Sequence, residues 1–150
     1  MLRVVVAVLV AAGLLAVALP VVEDASRDHS HAAAAAAVDR ITTAATSLAR
    51  DSDPTVAGHP GATRTITVQV PEAGWAHAGV TRLELVGDSE AAAREQARFR
   101  WTVDGTHRSR NPEVALRPAD GPLTLGPGTH RLRLRLDRTP EGRVVTVARV

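Results

Sequence analysis

At 150 residues the chain allows one ordinary domain, and two Trp, one Phe and no Tyr give that domain few large core anchors. There is no Cys, which excludes a disulfide, a thiol nucleophile, Cys-ligated zinc or iron–sulfur clusters and a lipidated N-terminal Cys. The formal net charge is +2 and all 18 basic residues are Arg, so charge alone names no partner.

Residues 4–22 are 19 consecutive uncharged residues, and as a helix rising about 1.5 Å per residue they match a hydrocarbon core of about 30 Å. Arg3 precedes the run, and Glu23, Asp24 and Asp28 follow it. The run therefore predicts a retained transmembrane anchor over residues 1–22, in a single-pass protein of the cell membrane with its N-terminus cytoplasmic and its C-terminal domain extracytoplasmic. The rival reading is a signal peptide cut after Ala18, since Ala16-Val17-Ala18 has the small-x-small pattern of a cleavage site. Small residues in the run, Ala7, Ala11, Ala12, Gly13 and Ala16, are candidates for close helix–helix packing.

Over residues 23–50 there is no Pro or Gly, and Ala32 to Ala37 are all Ala, the best helix former. Ala34, Val38, Ile41, Ala45 and Leu48 recur at helical spacing, which makes this segment an amphipathic helix with one face for docking. Together the two segments predict one helix of roughly 45 residues, with Pro20 as its kink position and Pro54 after its end. Residues 51–62, rich in Pro, Gly and Asp, read as a linker loop.

Beyond residue 62 the period changes to two. Ile66, Val68 and Val70 alternate with polar residues, as do Leu83 and Leu85, then Phe99, Trp101 and Val103, then Leu132, Leu134 and Leu136. Asp104-Gly105 is a two-residue hairpin turn leading to a return strand at 106–110. Short strands are also expected near 114–116, at 123–125 and at 143–150, with one or two helical turns at 91–96. The fold class is thus α+β: a long N-terminal helix, transmembrane and then amphipathic, followed by an antiparallel β-sandwich of about 7–8 short strands over residues 63–150. An incomplete barrel is the alternative.

Residues 96–150 hold 11 Arg against 5 acids. If their strands shared a sheet, Arg98, Arg100, Arg131, Arg133 and Arg135 would form a basic plate for phosphate or carboxylate groups. With few aromatic side chains to stack on bases, no nucleic-acid partner is expected. His29 and His31 point about 200° apart on a helix and read as a solvated pair rather than metal ligands. His130, following Pro127-Gly128-Thr129, reads as a strand-start histidine with a structural hydrogen bond, and Trp75 as a plug over one end of the sandwich. No nucleophile elbow or phosphate loop occurs, so no enzyme, cofactor or metal is expected.

The order of parts, an uncharged run from residue 4, Pro20, an Ala-rich helix and a β-rich head, resembles a type IV pilin or pilin-like subunit. The opening MLRVVVAVLVAAGLLAVALPVVEDA, the stretch from Arg50-Asp51-Ser52-Asp53-Pro54 through Gly58-His59-Pro60-Gly61 to Val68, and Pro127 to Leu132 look like an uncharacterised haloarchaeal family of small membrane-anchored proteins associated with type IV pilus-like gene clusters. No basic–Gly pair precedes the run and no acid sits near its start, so the resemblance implies an accessory structural component rather than a processed pilin. Its implied partners are the lipid bilayer and other subunits of a pilus-like surface assembly. The alternative expectation is an exported module that binds anionic glycans or lipid head groups on its Arg face.

Overall fold

The computed structural model describes residues 2–53, 55–56, 61–74, 78–87, 97–140 and 142–150. One helix, α1 (Leu2–Asp51), precedes the strands β1 (Thr55–Val56), β2 (Thr63–Val70), β3 (Arg82–Val86), β4 (Arg98–Val103), β5 (Thr106–Arg110), β6 (Leu116–Pro118), β7 (Leu123–Leu125), β8 (Gly128–Thr139) and β9 (Gly142–Arg149). Trp75, His59, His77 and the helical turns expected at 91–96 lie outside the described residues.

The strands form two sheets. In the first, β8 is flanked by β9 on one side and by β2 and the short β1 on the other, and β6 pairs with the far edge of β9. In the second, the order is β5-β4-β3-β7, all antiparallel. Alternation sends Val68, Val70, Leu132, Leu134, Leu136, Val145 and Val147 inward from the first sheet, and Leu83, Leu85, Phe99, Trp101, Val103 and Leu125 inward from the second. They meet in one core cluster that also contains Ala34, Val38, Ile41, Ala45 and Leu48 of α1.

The helix therefore has two unlike halves. From Ser30 onward its periodic face is buried against the sheets. The apolar residues 4–14 are exposed around the whole circumference, with Val4, Leu9 and Leu14 at 66%, 66% and 68%. At the C-terminal end, where helix carbonyls lack intrahelical donors, Arg143 of β9 donates from Nη1 to the Ala49 carbonyl at 3.1 Å.

Two expectations are corrected. Among the described residues no helix is long and apolar enough to cross a membrane, which overturns the transmembrane anchor at 1–22. With it fall the single-pass cell-membrane placement, the cytoplasmic N-terminus with an extracytoplasmic C-terminal domain, and the transmembrane half of the expected fold class. The run does not stand apart as an apolar segment of its own: the same helix continues without a break into Glu23, Asp24, Arg27 and Asp28. The second correction concerns the sheets, which are mixed rather than antiparallel, because β1 runs parallel to β8 and β6 parallel to β9. After β5 the chain crosses to the first sheet for β6, back for β7 and across again for β8, and such crossovers allow parallel neighbours where hairpins do not. β1 itself falls within the segment expected to be a linker.

Candidate functional site

The strongest surface feature is the unpacked half of α1. Of the small residues expected to mediate helix packing, Ala7, Ala11, Ala12, Gly13 and Ala16 are all exposed there, and a Cβ at Gly13 would meet nothing within 4 Å. At 100° per residue Ala7 and Ala11 share one line, and Ala12 and Ala16 share another about 140° round. They form two contact lines instead of one stripe.

The second feature is the seam where α1 leaves this arm and docks on the β4–β5 hairpin. Arg27 donates from Nε to Asp104 Oδ2 at 2.6 Å and from Nη1 to Asp24 Oδ1 at 2.9 Å, tying the helix to the hairpin turn. Opposite residues of an antiparallel pair share a face, so Arg108 and Arg110, across from Trp101 and Phe99, look toward the helix. They pair there with Asp28 at 3.6 Å and with Asp39. Between these ion pairs Trp101 Nε1 donates to His31 Nδ1 at 3.2 Å. His31, expected to be solvated, is only 3% exposed. To accept at Nδ1 the ring must be neutral with its proton on Nε2. Burial pushes its pKa below the ordinary 6.5, the Arg108 charge adds to the drop, and Asp28 opposes it. A cleft of about 530 Å³ opens beside the ring, lined by Asp28, His31, Trp101, Arg108 and Arg110.

The arginines of the expected plate are divided. Arg98 and Arg100 stand on β4 in the second sheet, with Arg98 Nε donating to Asn111 Oδ1 at 3.0 Å. Arg100 borders a shallow concavity of about 640 Å³ with Arg82, Glu84, Thr102 and His107. Arg131, Arg133 and Arg135 stand on β8 in the first sheet. Each set points away from the shared core, so the two sets lie on opposite faces and cannot act as one plate. Sequence alternation shows which face a residue takes, but not which sheet its strand joins.

Two further polar groups are buried. Asp137 accepts from Arg135 Nε at 2.7 Å and from Thr146 Oγ1 at 2.8 Å. His130 Nε2 donates to the Gly126 carbonyl at 2.7 Å, leaving Nδ1 buried without a partner. Among the described residues no three metal-ligating side chains converge.

Comparison with curated proteins and with solved structures finds no match for the chain. Residues 1–150 match the family described as Domain of unknown function (DUF7311), and the chain belongs to that family.

Proposed function

We propose that the protein is a non-catalytic structural subunit, pilin-like in plan, whose α1 arm packs against the arms of other copies while its β head faces outward. The observation that carries this reading is the contrast within one helix. The half from Ser30 to Leu48 has one apolar face and that face is covered, whereas residues 4–14 are apolar on every side and covered on none. A helix that is apolar all round is stable only when surrounded, and an arm without acidic residues between Arg3 and Glu23 carries nothing to repel its like. Small residues on two lines let such an arm meet two neighbours closely, and closed assemblies of identical chains are the commonest oligomers.

The chain lacks Cys, so a single introduced thiol reports one position. Ala12→Cys treated with a short bis-maleimide is expected to give covalent dimers in high yield, while Thr67→Cys on the first sheet stays monomeric. Equal, low yields from both positions would refute arm-mediated assembly.

A further inference from the structure

β8 is the central strand of the first sheet, fixed by hydrogen-bonded neighbours on both sides. Its outward row is Thr129, Arg131, Arg133 and Arg135, facing Gln69, Thr67, Thr65 and Thr63 of β2. On the other side Arg133 and Arg135 face Ala148 and Thr146 of β9, and Thr146 in turn faces Arg117 of β6. The flat face thus holds four arginines, Arg117, Arg131, Arg133 and Arg135, with threonine hydroxyls between them. Its one buried carboxylate, Asp137, is spent on Arg135 and Thr146. Glu72 stands beyond the row, at the Gly128 end.

Elsewhere in the molecule Arg27, Arg82, Arg108 and Arg110 each meet a carboxylate. Arg131 and Arg133 meet none among the described residues, and their backbone positions are only about 6.8 Å apart, two strand rises, on one face of β8. Two neighbouring guanidinium charges repel by Coulomb's law, and an anion between them relieves the repulsion. Guanidinium groups supply paired donors matched to carboxylate and sulfate oxygens, and the threonines add neutral donors beside each step.

We propose that this Arg–Thr ladder is a binding site for a linear anionic polysaccharide lying along β8. The repeat along one strand suits a single extended chain carrying an anion at each step. Base stacking, which nucleic-acid binding on an open sheet uses, finds no aromatic on this face among the described residues, since Phe99 and Trp101 are turned into the core. Insertion into a lipid surface needs a large apolar face beside the cations, and the residues facing the ladder are Thr63, Thr65, Thr67, Gln69, Thr146 and the small Ala148 instead.

The test uses the full chain and fluorescent dextran sulfate at low ionic strength, with neutral dextran, oligo(dT) and phosphatidylglycerol-containing vesicles compared in parallel. The expected result is binding of dextran sulfate alone, weakened roughly tenfold or more by Arg131→Glu with Arg133→Glu. Arg98→Glu with Arg100→Glu, the same charge change on the other sheet, is expected to leave it nearly intact. Equal loss from both pairs would reduce the effect to net charge and overturn the proposal, as would full retention in the Arg131/Arg133 variant. Oligo(dT) or vesicles bound as tightly as dextran sulfate would replace the polysaccharide with a nucleic acid or a membrane surface. Circular dichroism of each variant verifies that the exposed substitutions leave the fold in place.

Discussion

The pair formed by His31 and Trp101 couples the helix to the hairpin through a single proton. A neutral His31 accepts from the indole at Nδ1, whereas a charged one would turn an N–H donor toward the indole N–H and add to the Arg108 charge. Because the folded-state pKa lies below 6.5, the unfolded chain binds the proton more readily. The His31 contribution is therefore complete above the unfolded pKa and is lost as pH falls through the folded one. The melting temperature is expected to drop between about pH 7 and pH 5, and His31→Gln, which keeps an acceptor but does not titrate, should flatten that drop. An identical slope in the variant would remove His31 from the account.

Two other residues make sharp claims at this scale. Asp137 is 5% exposed with both carboxylate oxygens occupied, so Asp137→Ala should cost about 2 kcal/mol in urea unfolding. Gly79 has φ +72°, and a Cβ there would lie 2.4 Å from the Ala73 nitrogen. Gly79→Ala is accordingly expected to destabilise by at least about 2 kcal/mol, and an unchanged melting temperature would contradict that geometry. The hairpin turn, by contrast, was plain in the sequence: Asp104 and Gly105 both take positive φ, 45° and 74°, as an Asp-Gly type I′ turn requires. His31 was not, since its partner lies 70 residues away and nothing local marks a histidine for burial.

At the scale of elements, the docked half of α1 shows how far periodicity reaches. Ala34, Val38, Ile41, Ala45 and Leu48 follow helical spacing in the sequence and are all buried in the structure. Ile41→Ala should therefore cost roughly 2–4 kcal/mol through lost burial and a cavity. Leu9→Ala on the arm should leave urea unfolding of the β head unchanged. Similar losses from both would mean the arm also packs on the head. Strand positions are equally readable, because inward residues of β2, β3, β4 and β8 alternate along each strand. Pairing is not: alternation carries no information about neighbours, so the parallel β1–β8 and β6–β9 pairs and the division of the arginines emerge only when the strands are assembled. The long uncharged run reads as a membrane span from its length and flanking charges, yet among the described residues no helix is long and apolar enough to cross a membrane.

For the whole molecule, the β head and docked helix form a self-sufficient core, while the arm is an apolar rod that an isolated chain leaves in water. The proposed assembly resolves that mismatch by placing arms together and leaving the Arg–Thr ladder, on the head, free for ligand. The two roles are separable, since substitutions at residues 9 and 14 should abolish assembly without touching the ladder.

The most direct measurement is the molar mass of the full chain in solution by light scattering, alongside Leu9→Glu with Leu14→Glu. The account predicts a multiple of the monomer mass for the native chain and a monomer for the variant, which loses assembly because a charge cannot enter an apolar helix bundle. A native chain that remains monomeric at high concentration, or a variant that assembles equally well, would contradict it.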